Sequence, residues 1–341
     1  MTKVAKTYNI LIRILILCAS WGYLAWEFFG KDHLTEPLKQ MHLAPIHPFL
    51  WLIISLVVFL MIINWGIEAR KWQFMIAKIE EISFINAFLA VFSGITVSIF
   101  TPNRIGEYFG RVFILKKSSP GKGIVITILG SLSQFFITII AGSIALIFFL
   151  DNYTPFSLYL GGFLIHGIAV AVLLLNMGIV LLFINTPLLI SVMNRIIPRS
   201  FWKFKNYLRV IGRYNKSELL KVLWLSALRY MVFSCQYLLL FKAAGIPLNF
   251  FEGIIAVAVI FFILTAIPSM ALAELGIRSS VALGVIKMIL PPDLASNESI
   301  SIGIVASASL VYIINIALPA LLGSAFVVRL RFFKKSRHEL N

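Results

Sequence analysis

Phe100-Thr101-Pro102-Asn103-Arg104-Ile105-Gly106-Glu107-Tyr108-Phe109-Gly110-Arg111 closes an apolar run over residues 84–100. That run sits at the short edge of the roughly 17–25 residues needed to cross a bilayer. Pro102 lacks an N–H and clashes with the preceding turn, so it breaks any helix that reaches it. Glu107 and Arg111 then stand four residues apart, on one helix face. A short apolar run, a break and an ion pair describe a segment that turns back at membrane depth. Non-helical backbone there is tolerated only inside protein or beside a water-filled cavity.

The pattern returns in the second half. The apolar run 251–267 leads into Ile267-Pro268-Ser269-Met270-Ala271-Leu272-Ala273-Glu274-Leu275-Gly276-Ile277-Arg278. Again there is a proline, then a small residue, then Glu, with Arg four residues after the Glu. The spacing from proline to Glu is one residue longer than in the first half. Six further apolar segments have crossing length: 8–29, 49–67, 124–150, 159–184, 222–241 and 300–328.

Composition agrees with a chain held in lipid. Of 341 residues, 60% are hydrophobic and 13% charged, against about 25% charged in soluble domains. A soluble enzyme, a disordered chain and a disulfide-stapled secreted domain are excluded. The net charge of +16 suits the anionic face of a membrane and does not call for nucleic acid. The residues outside the spans leave no room for a soluble catalytic domain.

Lys and Arg counts order the spans. Stretches 1–7, 68–83, 101–123, 185–221 and 329–341 carry 23 of them, and 30–48, 151–158, 242–250 and 268–299 carry five. Both stretches flanking 84–100 are basic, and both flanking 251–267 are poor. Six full crossings with two opposed re-entrant hairpins satisfy this split and leave both termini cytoplasmic. The expected fold is an all-α polytopic membrane protein, one integral-membrane domain over 1–341. Its halves, roughly 1–150 and 159–328, form a pseudo-inverted repeat, and inverted repeats with broken helices are a transporter layout.

The candidate site follows from the ions at the two breaks. Arg104, Arg111 and Arg278, with Arg229 inside the span 222–241, offer planar guanidinium forks that bind phosphate in bidentate fashion and stay charged when desolvated. Glu107 and Glu274 partner them, and Pro102 and Pro268 mark the structural breaks. Arg229 is costly in mid-span and needs an anionic partner, a Glu or a ligand. Gln134 and Gln236 read as interhelical hydrogen-bonding groups.

No cofactor or metal is expected. Cys18 and Cys235 lie in apolar segments and read as small buried hydrophobes. The five histidines, His166 among them, show no ligand spacing. Ser118-Ser119-Pro120-Gly121-Lys122-Gly123 lacks the phosphate-loop pattern and reads as a polar loop. Within the basic loop 185–221, Phe201, Phe204, Leu208 and Ile211 share one helical face, with Lys203, Lys205, Arg209 and Arg213 mostly off it. That is an amphipathic helix lying on the leaflet surface.

At Pro102, Arg104, Gly106, Glu107 and Arg111 the chain resembles the lysylphosphatidylglycerol synthase transmembrane-domain family, the flippase-like proteins. Pro268, Gly276, Ile277 and Arg278 resemble that family's later motif. The chain departs from it in having Ser269-Met270 after Pro268, and in placing its acid before the arginine as Glu274. The resemblance implies a multi-pass bundle of the bacterial cytoplasmic membrane that moves or binds lipids with charged headgroups. It does not imply aminoacyl transfer. The expected function is therefore a lipid translocase or carrier whose partners are anionic lipids such as a phospholipid or polyprenyl phosphate. The alternatives are an integral-membrane transferase using a lipid-linked donor, with Glu107 or Glu274 as base, and a non-transporting accessory subunit.

Overall fold

The computed structural model describes residues 48–99, 101, 104–154, 156–198, 202–267 and 271–327. The expected crossing at 8–29, Cys18, Pro102, Pro268 and both termini lie outside these residues. The described residues form helices and no strand.

The long helices are α1 (Pro48–Ile76), α4 (Pro120–Tyr153), α5 (Phe156–Ile184) and α8 (Lys216–Ala243). After the single-turn α11 (Pro292–Ala295), a further long rod runs through α12 (Glu298–Tyr312), a π turn (Ile313–Ala317) and α13 (Leu318–Val327). These five are long and apolar enough to cross a membrane. The helices that follow the 84–100 and 251–267 readings are shorter: α2 (Phe84–Ser98) and α9 (Phe250–Ala266). Each is followed by a break and a second helix, α3 (Gly106–Val112) after α2 and α10 (Ala271–Ile289) after α9.

Local signals explain the helix starts. Asn215 with Glu218, and Asn249 with Glu252, form reciprocal capping boxes that open α8 and α9, satisfying backbone N–H groups that a helix start leaves unpaired. The Asn185 side chain accepts from the Leu188 N–H to start α6 (Thr186–Ile196). Pro120 opens α4, a position where its missing N–H costs nothing. Residues 120–123 are therefore the first turn of a helix and not a polar loop.

The core lies where α1, α2, α4, α8 and α12 meet. It is filled by Val57, Trp72, Ile126, Val222 and Ile304, all essentially inaccessible. On α5 the apolar side chains of Leu173, Leu174, Leu175 and Met177 instead face outward and are more than half exposed. Exposed apolar surface on this scale marks contact with an apolar medium, and the hydrocarbon of a bilayer supplies it. Cys235 is also exposed, on α8, and so is not the small buried hydrophobe its apolar segment suggests.

Two small-residue contacts set the position of the site. A Cβ on Gly110 would fall 2.6 Å from the Gly94 Cα, and one on Gly94 would fall 2.9 Å from the Arg111 Cγ. Helix α3 therefore folds back antiparallel along α2 with the backbones in contact. On the other side of α2, Thr96 donates its hydroxyl to the Ala320 carbonyl at 2.8 Å, tying it to α13.

The basic loop is built differently from one amphipathic helix. Helix α7 (Trp202–Tyr207) tightens into a 3-10 turn (Leu208–Arg213). Leu208 and Ile211 do face inward and Arg209 and Arg213 outward, so the expected polarity holds in the segment described. The Tyr214 hydroxyl donates to the Met75 carbonyl at 2.6 Å, and burial pushes that hydroxyl's pKa up.

Candidate functional site: two charged clusters

The turn between α2 and α3 is held by one side chain. The Thr101 hydroxyl donates to the Ser98 carbonyl at 3.1 Å and accepts the Gly106 N–H at 2.7 Å. Within this turn Arg104 adopts φ = 57°, the only positive φ outside glycine among the described residues. That left-handed conformation costs an L-residue roughly 1–2 kcal/mol. It persists because the surroundings over-determine it, and such strain clusters at functional sites.

From this turn Arg104 reaches across to the second half of the chain. It donates to Glu274 Oε1 at 2.6 Å. Arg278, one turn along α10, donates to the same oxygen at 2.7 and 3.1 Å. The fully buried Tyr237 of α8 places its hydroxyl beside this group. Two arginines thus share one carboxylate oxygen. The Arg104 side chain is 36% exposed and that of Arg278 17%, while Glu274 keeps only 7%. Of the three side chains Arg104 is the most open and Glu274 the least.

A second cluster lies deeper, centred on Glu68 of α1. Arg111 donates to Glu68 Oε1 at 2.7 Å and pairs with Glu107 on its own helix. Arg229 donates to Glu68 Oε2 at 2.9 Å and, through Nε, to Asn64 at 2.9 Å. Lys71 meets the same Oε2 at 2.9 Å and also donates to the Gly130 carbonyl and the Ser226 hydroxyl, each at 3.2 Å. The Arg229 guanidinium stacks over Trp65, 4.6 Å from the ring centre. Glu68, Lys71 and Arg111 are at most 5% exposed. One carboxylate therefore binds together α1, α3 and α8, while Lys71 adds α4.

The six charged residues expected from the sequence thus divide. Arg104, Glu274 and Arg278 form the open triad, whereas Glu107, Arg111 and Arg229 belong to the buried cluster. Both i, i+4 pairs form as spaced, Glu107 with Arg111 and Glu274 with Arg278. Of the two glutamines, Gln236 does act between helices, donating to the Val57 carbonyl of α1 at 2.9 Å.

Glu68, Lys71 and Asn64 are absent from the sequence reading. The apolar window there stops at residue 67, and Lys71 was counted among the basic residues of a loop. The missing signal is the absence of any breaker after Gly66. Glu68-Ala69-Arg70-Lys71-Trp72-Gln73-Phe74-Met75-Ile76 contains neither proline nor glycine, and apolar residues return at its end, so α1 runs on. Glu68 and Lys71 are then i, i+3 partners.

Each cluster holds one more positive than negative charge. In the triad two arginines face Glu274; in the buried group Lys71, Arg111 and Arg229 face Glu68 and Glu107. No group of three or more metal-type ligands occurs among the described residues.

A family model described as lysylphosphatidylglycerol synthase TM region matches residues 10–323. No curated protein and no solved structure matches the chain.

Proposed function

Because the chain belongs to the lysylphosphatidylglycerol synthase TM region family, a family of membrane proteins related to lipid handling, we propose that it moves an anionic, phosphate-bearing lipid across the membrane. The headgroup sits on Arg104 and Arg278. The single observation that carries this reading is the triad: two guanidinium groups converge on one point, carry excess positive charge and remain partly open. Arginine in such a pair is a fork for phosphate oxygens.

In this reading α2–α3 and α9–α10 are the two re-entrant hairpins of an inverted repeat, entering from opposite sides, with the sixth crossing supplied by 8–29. Arg104 and Glu274 meet where the hairpin tips approach each other, near the midplane, as in other inverted-repeat transporters. Glu107, Arg111 and Arg229 support the site from behind, through Glu68. The membrane is the bacterial cytoplasmic membrane, with both termini on the cytoplasmic side.

Mass spectrometry of the lipids that co-purify with the full chain tests the reading. Wild type is expected to retain one phosphate-bearing lipid above its share of the membrane extract. The double variant Arg104→Ala/Arg278→Ala is expected to lose that enrichment at least tenfold, and so is Arg104→Ala alone, which leaves Glu274 its Arg278 partner and keeps the melting temperature within a few degrees. Equal enrichment in wild type and the double variant overturns the assignment.

A further inference from the structure

Glu274 already occupies the place the reading gives to the substrate. Its Oε1 accepts from both arginines, and no third cation reaches it among the described residues. An incoming phosphate oxygen that takes both forks must displace this carboxylate. The displaced group stays where it is, because its side chain is 7% exposed and α10 holds its backbone. Among the described residues, the charged and titratable groups that face it are Arg104 from the α2–α3 turn, Arg278 from its own helix and the Tyr237 hydroxyl from α8. Once both arginines are engaged by the ligand, a buried carboxylate would stand beside a second anion. Two like charges this close, out of water, do not both stay ionised.

We propose that anion binding at Arg104 and Arg278 is coupled to protonation of Glu274, so that one proton enters with each headgroup. This deepens the anion-site reading above and rests on it. The step balances: the carboxylate gives up the three N–H bonds it accepts from the two arginines, takes one proton from the solution to become a neutral carboxylic acid, and the two guanidinium groups pass to the phosphate oxygens. The neutral acid now carries an O–H that donates to the bound anion. Release reverses each transfer, and the proton leaves with the headgroup. Glu68 is not a second such site. Both of its oxygens are held, by Arg111 on one side and by Arg229 and Lys71 on the other, and the group is sealed.

The test is proton counting on binding. Full-length protein in weakly buffered detergent is titrated with dioctanoyl-phosphatidylglycerol, a phosphodiester with no group of its own that titrates near neutrality. A pH indicator follows the solution. Wild type is expected to take up one proton per lipid bound, and its affinity is expected to fall tenfold for each unit of pH rise between 6 and 8. Glu274→Gln is expected to bind with no proton uptake and no pH slope. Binding of wild type without proton uptake overturns the coupling and leaves the anion site standing. Uptake that survives in Glu274→Gln also overturns it. Absence of any binding overturns the anion-site reading and the coupling with it. The wild-type slope alone decides the matter if Glu274→Gln does not fold. Glycerophosphoglycerol, the same headgroup without chains, forms the second arm. Proton uptake with the lipid alone supports the coupling for a lipid ligand, and equal uptake with both supports it for a soluble phosphodiester.

Discussion

The two charged clusters are both built on arginines gathered around a glutamate and, on the proposed reading, are put to different uses. Around Glu68, five ionised groups from three helices meet, three of them (Glu68, Lys71 and Arg111) almost fully buried, and every Glu68 oxygen is occupied. Around Glu274, three groups from two distant segments meet with the arginines partly open and one of them in a strained backbone. A buried ion group of the first kind is weak ground for stability over an apolar core, but removing one partner is severely destabilising because it strands the others. A group of the second kind loses less when one arginine is removed, since the carboxylate keeps the other arginine as its partner. On the proposed reading, burial and not residue type separates a fastening from a binding site here.

The largest expected effect comes from Glu68→Ala. It leaves Arg111, Arg229 and Lys71 without their shared carboxylate, for a loss of about 3–5 kcal/mol by comparison with other broken buried pairs. Thermal unfolding in detergent checks it, and a wild-type melting temperature would break the comparison at its root. Arg104→Ala comes next and is of the other kind. It removes a fork and relaxes the strain of φ = 57°, since alanine pays the left-handed penalty without holding any partner and a small backbone shift then becomes free. Retention of a phosphate-bearing lipid should fall about tenfold or more, equal to roughly 1.4 kcal/mol or more, with little change in melting. A large loss of stability instead would move Arg104 into the structural group.

Gly94→Ala sharpens the contrast because α3 carries Glu107 and Arg111 of the buried cluster and follows directly on the turn that holds Arg104. The new methyl would meet the Arg111 Cγ at 2.9 Å and the Glu107 carbonyl at 3.0 Å, so α3 must shift. Overpacking of this kind costs about 1–3 kcal/mol, and both melting temperature and lipid retention should drop together. The smallest effect is expected of Trp65→Phe. It weakens the stacking of Arg229 on the ring and removes the bond to the Asn315 carbonyl, 3.2 Å long, for about 1 kcal/mol in all. Melting temperature should fall slightly and lipid retention should not change.

Much of this was legible in the residues themselves. Apolar length marked the long helices, and the two short runs marked α2 and α9. The i, i+4 rule paired Glu107 with Arg111 and Glu274 with Arg278, because those contacts are local. What joins the clusters is not local. Arg104 and Glu274 are 170 residues apart, and no spacing rule states that they share a bond. Glu68 was missed for a related reason. A hydropathy window ends where charge begins, whereas a helix ends only where its backbone must. With no proline or glycine after Gly66, α1 carries its charges inward onto α3 and α8, and Lys71, counted as a marker of the loop side, is buried at 2% exposure. The π turn at Ile313–Ala317 had no signal of its own either. It arises inside an apolar run, at the point where the Asn315 carbonyl meets Trp65.

The central claim is that the open triad handles the lipid and the buried cluster holds the frame. The most direct test is lipid movement in liposomes that contain the purified chain and a fluorescent phosphatidylglycerol, followed by quenching from outside. Wild type should bring the inner-leaflet label to the quencher faster than empty liposomes do. Arg278→Ala should remove that gain while reconstituting and melting like wild type. Equal movement by Arg278→Ala would contradict the account.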